Sequence, residues 1–358
     1  MLCGVLAATA ICQSVVPFDA LQPVSLHEEG ERCGDAIWPI AVFLRVWPIV
    51  ADLGCHISDR SRLRKLPTGS YSRTVALEIR TVGIVGSGIM GAGLAEVAAR
   101  AGYDVIVASR SQSSADGVLC TIDAGLAKAV DRGRTTADER SAVMSRITAT
   151  EGFGSFGECD LVIESVIEEI GVKLTLFGEL DHATKPSAIL ATNTSTLPVI
   201  DLALATSRPE RVCGIHFFNP ATVMSLVEVV RPLTACAETI ETAMAFVGSC
   251  GKDAVEVQDH AGFIVNALLF PYLNNAVRMF ERGTASIESI DTAMKGGCNF
   301  PMGPFALLDL VGLDTSLAIL ETVYAAFGGP GDTPAQTLVD MVAAGHLGRK
   351  TKQGFYTY

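Results

Sequence analysis

The stretch RTVGIVGSGIMGAGLAEVAARAGYDVIVASR, residues 80–110, decides the fold, because it carries the pattern of a strand, a glycine turn, a helix and a second strand. Residues 82–85 are short, apolar and mostly β-branched, which is typical of a strand buried on both faces of a sheet. The pattern then predicts a helix over 92–101, which Gly102 ends, and a second strand over 105–108. This order predicts a βαβ unit.

The turn of this unit contains Gly86, Gly88 and Gly91 in the pattern G-x-G-x-x-G. Gly86 permits a tight turn, Gly88 lets the backbone approach a pyrophosphate, and Gly91 lets the helix pack closely. The free N–H groups at the start of the helix attract phosphate charge. A glycine turn without a ligand is the alternative. In its βαβ setting the motif predicts a dinucleotide site, which includes Ile89 and Met90.

The end of the second strand differs from the usual NAD-binding pattern. An acidic residue about 20 positions beyond the glycines normally binds the ribose hydroxyls. Here Ser109 and Arg110 occupy that end. A small residue followed by arginine removes a charge that repels a 2′-phosphate and adds one that attracts it. We therefore expect NAD or NADP as cofactor, with a lean towards NADP, although Arg110 stacking on adenine or facing solvent are alternatives.

The chain beyond residue 110 continues the alternation of strands and helices. Strands are predicted over 161–163 and within 187–196, 211–220 and 226–232. The alternation predicts an α/β fold with a doubly wound, mainly parallel sheet of the Rossmann type. Ligands bind at the carboxyl ends of such strands. Polar residues at or near those ends are Glu168, Thr194, Ser195, His216 and Glu228.

Composition excludes some classes of function. The 358 residues are 49% hydrophobic and 18% charged, and no apolar run approaches the roughly 18 residues of a membrane span. The net charge of −12 argues against nucleic-acid binding, which favours a basic face. Ten cysteines without CxxC pairs suggest reduced thiols in a cytoplasmic protein rather than disulfides or a metal site.

Residues 1–79 differ from the rest of the chain. They hold both tryptophans and four of the ten cysteines. The start is apolar but lacks the basic residues of a secretory signal. We expect 1–79 to be an N-terminal extension outside the fold, with three alternatives in falling order: a start-site artefact, a poorly folded appendage, or an export leader.

The run IHFFNP, residues 215–220, places His216 in an apolar, strand-like segment. A core histidine with satisfied hydrogen bonds is the simplest explanation. Glu228 follows 12 residues later, and neighbouring strands would bring its carboxylate to the imidazole. A carboxylate on one ring nitrogen raises the basicity of the other, as a general base for alcohol oxidation requires. A solvent-facing Glu228 is the alternative.

Residues 80–358 resemble the L-3-hydroxyacyl-CoA dehydrogenase family, and in particular its single-function members that act on 3-hydroxybutyryl-CoA. The segments that carry the resemblance, in order, are GSGIMGAGLAEVAARAG, NTSTLPV, GIHFFNPATVMSLVEVV, HAGFIVNALLFPYLNNAV, PMGPFALLDLVGLDT and GRKTKQGFYTY. No such resemblance extends to 1–79.

The resemblance implies a role for each matching residue. His216 corresponds to the catalytic histidine, Glu228 to its partner, and Ser195 and Asn266 to residues that bind the substrate. Cofactor contacts are implied for Glu168, Lys173, Ser195, Asn219 and Lys350. Two residues that contact coenzyme A in relatives, a serine and a lysine, are replaced by Gly125 and Arg132, which leaves the binding of the thioester carrier open.

The pattern changes to helical spacing beyond residue 259. Helices are predicted over 263–278, 287–294, 304–310 and 315–327, with turns at Gly283, 296–297 and 327–332, and core positions at Leu268, Leu269 and Tyr272. We therefore expect a dinucleotide-binding domain over 80–258 and an all-helical domain over 259–358. The resemblance implies that the helical domain forms a homodimer.

The leading hypothesis is reversible oxidation of a short-chain (3S)-3-hydroxyacyl-CoA to the 3-oxoacyl-CoA. Oxidation of a small free hydroxy acid or a polyol is a second hypothesis. The third is a crystallin-like, non-catalytic dinucleotide-binding protein.

Overall fold

The computed structural model describes residues 77–328 and 333–358. The predictions for residues 1–76, and for residues 329–332 of the predicted turn, lie outside the described part of the chain.

An eight-stranded sheet forms the centre of the first half. Its strands lie in the order β3-β2-β1-β4-β5-β6-β7-β8, and all neighbours pair in parallel except β6 and β7, which are antiparallel. The mainly parallel, doubly wound sheet is therefore confirmed. The strands are β1 Thr81–Val85, β2 Asp104–Ser109, β3 Ile147–Glu151, β4 Leu161–Glu164, β5 Ile189–Thr192, β6 Val212–Phe217, β7 Leu226–Arg231 and β8 Asp253–Gln258.

Helices cover both faces of the sheet. Val82 and Ile84 are fully buried in the apolar layer on one face, and Val162 and Phe177 in the layer on the other. Burial of each such side chain stabilises the fold by about 1.5–3 kcal/mol. Because the helices supply the other side of both apolar layers, strands and helices alternate along the chain. The helices of this half are α1 Ile89–Arg100, α2 Gln112–Asp131, α3 Ala137–Ser145, α4 Ile170–Ala183, α5 Val199–Leu204 and α6 Ala237–Ser249.

One helix and two strands of this half differ from the expectation. The helix α1 begins at Ile89 rather than residue 92, with Gly88 as its N-cap. The strands β3 and β8 were not predicted. They lie at the two edges of the sheet, where charged and half-exposed residues replace a continuous apolar run.

Helices are the main elements of the described residues beyond 258, with only two isolated β-bridges near the C-terminus, which confirms the predicted all-helical second half. The helices are α7 Val265–Glu281, α8 Ile287–Cys298, α9 Pro304–Val311, α10 Leu313–Phe327 and α11 Gln336–Ala343. No helix within 77–328 or 333–358 is both long and apolar enough to cross a membrane.

Two expectations for this half are wrong. Residues 296 and 297 do not form a turn but lie inside α8, which continues to a left-handed cap at Asn299. The short polar side chain of asparagine tolerates that conformation, so the helix does not need a glycine to end it. Leu268 is 72% exposed rather than buried in the core. Gly283 is a turn residue, as expected, with a φ of 68° after the end of α7.

Candidate active site

The glycine turn joins β1 to α1, and its three glycines have different neighbours. A Cβ at Gly86, whose φ is 127°, would lie 2.3 Å from the carbonyl oxygen of Ser165. A Cβ at Gly91 would lie 2.0 Å from the carbonyl oxygen of Gly86. A Cβ at Gly88 would meet nothing within 4 Å. The protein itself therefore requires Gly86 and Gly91, whereas the space at Gly88 is open to a ligand.

The first turn of α1 directly follows Gly88, and no side chain caps its N–H groups. It contains no acidic side chain. Ile89 is 78% exposed and Met90 is half-buried. Uncapped N–H groups and a helix dipole attract an anion, so the residues present fit the pyrophosphate of a dinucleotide.

The carboxyl end of β2 carries a buried polar side chain, Ser109. The hydroxyl of Ser109 has no hydrogen-bond partner within the described residues. Arg110 is exposed, and the structure gives it no ion pair with the residues described. Across the strand pair, Ser109 faces Glu151, whose Oε2 accepts a hydrogen bond from the amide of Gln112 at 3.2 Å. Glu151 was not predicted, because β3 was not predicted.

The pairing of β6 with β7 brings His216 and Glu228 together. They are direct cross-strand partners, and Nδ1 of His216 lies 2.8 Å from Oε2 of Glu228. The ionised carboxylate can only accept, so Nδ1 carries the proton and Nε2 keeps a free lone pair. Both side chains are buried, and the rings of Phe218 and Phe263 lie 4.5 and 5.6 Å from the imidazole.

The second oxygen of Glu228 holds the start of the helical half. Its Oε1 accepts hydrogen bonds from the amides of Ile264 and Val265, each at 3.0 Å. Burial by itself would raise the pKa of Glu228, but the hydrogen bonds from His216 and the two amides hold that pKa below its usual value. The carboxylate is therefore charged at neutral pH.

The position of Glu228 corrects one expectation. It lies in the amino-terminal half of β7, not at the carboxyl end of the strand. Because β7 runs antiparallel to β6, its amino end lies at the same edge of the sheet as the carboxyl ends of the other strands. Glu228 therefore lies at the predicted edge of the sheet, although its strand runs in the direction opposite to the one expected.

A second carboxylate, Glu168, organises the loop after β5. Its Oε1 accepts hydrogen bonds from the Thr194 hydroxyl at 2.5 Å, the Ser195 amide at 2.9 Å and the Ser195 hydroxyl at 3.3 Å. Burial opposes its charge, but Lys173 and these hydrogen bonds hold the pKa of Glu168 below its usual value. The predicted substrate serine therefore has a fixed acceptor.

Lys173 does not lie on the surface of the site. Its side chain is 1% exposed, and its Nζ lies 3.1 Å from Glu168 and 2.8 and 2.9 Å from the two oxygens of Glu164. Its ammonium thus meets carboxylates rather than open space. Glu164 was not predicted. The signal that could have found it is an acid that ends the buried strand LVIE, nine residues before a lysine on the next helix.

Asn266 joins the same site from the first turn of α7. Its Nδ2 donates a hydrogen bond to the carbonyl oxygen of Ser195 at 3.3 Å. Asn193, which was not predicted, holds neighbouring strand ends together. Its Oδ1 accepts from the Phe217 amide at 2.8 Å, and its Nδ2 donates to the Ser165 hydroxyl at 3.3 Å. Ser195, Asn266 and the dyad therefore share the carboxyl edge of the sheet.

These contacts do not include Lys350 and Asn219, for which the resemblance implied cofactor contacts, or the replacement residues Gly125 and Arg132. Lys350 pairs with Asp314 in the helical half. Asn219 is exposed after the end of β6, and Gly125 and Arg132 are exposed on α2 and at its end. Among the described residues, no group of three or more His, Cys, Asp or Glu side chains is arranged to hold a metal ion.

Comparisons with known proteins cover the same part of the chain. The family described as 3-hydroxyacyl-CoA dehydrogenase, NAD binding domain, matches residues 81–260, and its C-terminal domain matches residues 262–358.

Individual relatives agree with this match. The chain is 44% identical over 285 residues to a 3-hydroxybutyryl-CoA dehydrogenase of Mycobacterium tuberculosis, which covers 78% of this chain and 99% of the relative. It is 42% identical over 275 residues to one of Clostridioides difficile, with 77% and 98% covered. The crystal structure of an (S)-3-hydroxybutyryl-CoA dehydrogenase from Ralstonia eutropha is similar, with a TM-score of 0.77, 38% identity, and 78% and 99% covered.

Proposed function

The chain belongs to the 3-hydroxyacyl-CoA dehydrogenase family, and we propose that it oxidises short-chain (3S)-3-hydroxyacyl-CoA thioesters reversibly to 3-oxoacyl-CoA. The observation that carries the proposal is the pairing of His216 with Glu228 at the edge of the sheet that the glycine turn also faces. A nicotinamide dinucleotide, when bound, supplies the hydride acceptor.

His216 is the proposed general base. Its Nε2 takes the proton of the substrate 3-hydroxyl while Nδ1–H stays bonded to Glu228. The buried carboxylate stabilises the imidazolium that this transfer forms, and it prevents the ring from turning. Such a positioned base contributes about 10²- to 10⁴-fold to a rate.

Ser195 and Asn266 are proposed to bind the substrate oxygens. The Ser195 hydroxyl points from a loop that Glu168 fixes through three hydrogen bonds. The Asn266 amide is held against the backbone of that same loop. Both side chains therefore start from restrained positions, which reduces the entropy lost when the substrate is oriented.

Initial rates with acetoacetyl-CoA and reduced cofactor test the reaction. We expect saturable turnover of the thioester and little turnover of free acetoacetate. A preference for the free acid would favour the hydroxy-acid hypothesis instead. Cofactor binding without turnover of either substrate would favour the non-catalytic hypothesis.

NADP(H) is the proposed preferred cofactor. Its 2′-phosphate would meet the Ser109 hydroxyl and the Arg110 guanidinium, neither of which has a partner among the described residues. Glu151 opposes this preference, because its negative charge lies beside Ser109 and repels a phosphate. Its carboxylate also accepts the hydrogen bond of the first amide of α2, that of Gln112. The ratio of kcat/KM for NADPH to that for NADH, measured on the wild type and on Glu151→Gln, tests both contributions. We expect a ratio above one that rises when Glu151 loses its charge.

A homodimer through the helical domain is also proposed. Leu268 and Met279 are exposed on α7, and Leu310 and Val311 on α9, which leaves apolar side chains for a second copy to cover. Light scattering coupled to size exclusion measures the mass directly. We expect a dimer for the wild type and a monomer for Leu268→Asp, and a monomeric wild type would contradict the proposal.

Domain organisation and location complete the proposal. We place the dinucleotide-binding domain at 80–258, the helical domain at 259–358 and an unmatched extension at 1–79. The six cysteines among the described residues are free thiols, which suits the reducing cytoplasm. Fractionation of cells that express the natural gene would test the location.

A further inference from the structure

Glu164 is a buried carboxylate to which the reaction described above assigns no role. It ends β4 and is 0% exposed. Each of its oxygens has two partners: Oε1 meets Nζ of Lys173 at 2.8 Å and the amide of Val166 at 2.7 Å, while Oε2 meets the same Nζ at 2.9 Å and the Thr192 hydroxyl at 2.8 Å. Thr192 ends β5 and Val166 follows the end of β4, so these contacts lie at the carboxyl edge of the sheet.

Lys173 extends this group of contacts from the core to the site. Its ammonium touches both Glu164 and Glu168, and its side chain is 1% exposed, whereas the side chain of Glu168 is 38% exposed. A buried ammonium is stable only if it stays paired. Glu164 binds the Lys173 ammonium with both of its oxygens, which leaves the third side of the ammonium for Glu168.

Glu168 in turn fixes Ser195. Because Oε2 of Glu168 is held by Lys173, its Oε1 faces the Ser195 amide and both loop hydroxyls. The contacts form one continuous path: Glu164 to Lys173, Lys173 to Glu168, and Glu168 to Ser195. Thr192 contacts Glu164 and also caps the Thr194 amide at 3.1 Å, which ties the loop to the same carboxylate a second time.

We propose that Glu164 is a positioning residue for the reaction: it sets the place of Ser195 through Lys173 and Glu168 without touching the substrate or the cofactor. This inference rests on the proposed function of Ser195 in binding the substrate. It predicts that the loss of Glu164 acts mainly on the KM for the thioester and on kcat/KM. It also predicts that this loss acts only while Glu168 is present to transmit it.

A double-mutant cycle with Glu164→Gln and Glu168→Gln tests the transmission. We expect Glu164→Gln to lower kcat/KM for acetoacetyl-CoA by about 10- to 100-fold, the usual effect of a small misplacement of a binding group. In the Glu168→Gln background the same change should have almost no further effect. Fully multiplicative effects would show that Glu164 does not act through Glu168 and would overturn the proposal.

A matched control separates positioning from stability. Asp160 directly precedes β4 and pairs with Lys185 at 2.5 Å, so it lies at the opposite end of the strand that Glu164 ends. Asp160→Asn also removes a partly buried ion pair, and we expect a lower Tm with unchanged KM. If Asp160→Asn raised KM as much as Glu164→Gln, the effect of Glu164 would be that of a weakened fold.

A second variant covers the case in which Glu164→Gln fails to fold. Glu164→Gln with Lys173→Met removes both buried charges, so neither is left unpaired. We expect this double variant to recover most of the Tm while keeping the high KM. Recovery of the wild-type KM together with the wild-type Tm would overturn the proposal. Turnover of acetoacetyl-CoA by the wild type is measured first, because its absence would refute the proposed function and not the role of Glu164.

Discussion

Glu228 binds His216 with one carboxylate oxygen and the first turn of α7 with the other. The first contact is 2.8 Å, and the two backbone contacts are 3.0 Å each. Neither oxygen is free to change partner, because each already has a donor that cannot move far. The imidazole is therefore held in one tautomer by an acid whose own orientation is fixed by the backbone.

Replacing His216 by alanine tests the general base. We expect kcat to fall by about 10²- to 10⁴-fold, because alanine lacks the imidazole that takes the hydroxyl proton in the proposed reaction. The affinity for NAD(P)H should stay unchanged, because the glycine turn joins β1 to α1, whereas His216 lies on β6. Stopped-flow turnover and fluorescence titration of the reduced cofactor measure the two quantities. Loss of cofactor affinity together with turnover would instead indicate a structural histidine.

Replacing Glu228 by glutamine tests the tautomer. The amide oxygen must accept from Ile264 and Val265, so the NH₂ group faces His216 and forces the imidazole proton onto Nε2. That nitrogen can then no longer accept the substrate proton. We expect kcat for oxidation of 3-hydroxybutyryl-CoA to fall by about 10²- to 10⁴-fold with little change in Tm. An unchanged kcat and pH–rate profile would exclude the dyad.

The double change Ser109→Asp with Arg110→Ala tests the cofactor preference. Charge-assisted hydrogen bonds contribute about 1.5–3 kcal/mol, so we expect Arg110 to favour NADPH by about one to two powers of ten. We expect the preference to move towards NADH, mainly through the KM of the cofactor. Arg134→Ala is the control, because it removes an exposed arginine beyond the far end of α2. A wild type that prefers NADH tenfold or more would contradict the assignment.

Removing residues 1–73 tests the extent of the enzyme. The alignments to three relatives include 97–99% of each relative but only 77–79% of this chain. The family match begins at residue 81. We expect the shortened protein to keep the kcat/KM and the Tm of the full chain. Aggregation or loss of activity would show that the removed segment completes the fold.

Alkylation of the cysteines tests their environment. Burial raises the pKa of Cys159 and of Cys213 to about 12, so at pH 8 neither is present as the reactive thiolate. Cys120 and Cys298 are exposed. We expect iodoacetamide to modify Cys120 and Cys298 in the native enzyme, and Cys159 and Cys213 only after unfolding, as peptide mass mapping will show.

The sequence pattern predicted those parts of the site that follow from local regularities. The glycine pattern and the apolar runs predicted the turn between β1 and α1, and the strand length predicted the contact of His216 with Glu228. The pattern could not show that β7 runs antiparallel, since strand direction depends on the connection and on which edge is free. It also could not show that Lys173 is buried, because that follows from Glu164 on a neighbouring element.

The contact between Glu228 and the first turn of α7 also makes the catalytic site depend on the docking of the helical half. A chain whose sheet has formed but whose α7 has not yet docked holds an acid with one oxygen unanchored, and its Asn266 is not yet beside Ser195. Without that docking the glycine turn of the sheet half is unchanged, but the contacts of Glu228 and Asn266 that complete the site are missing. The helical half is therefore needed to complete the catalytic site that the sheet half begins.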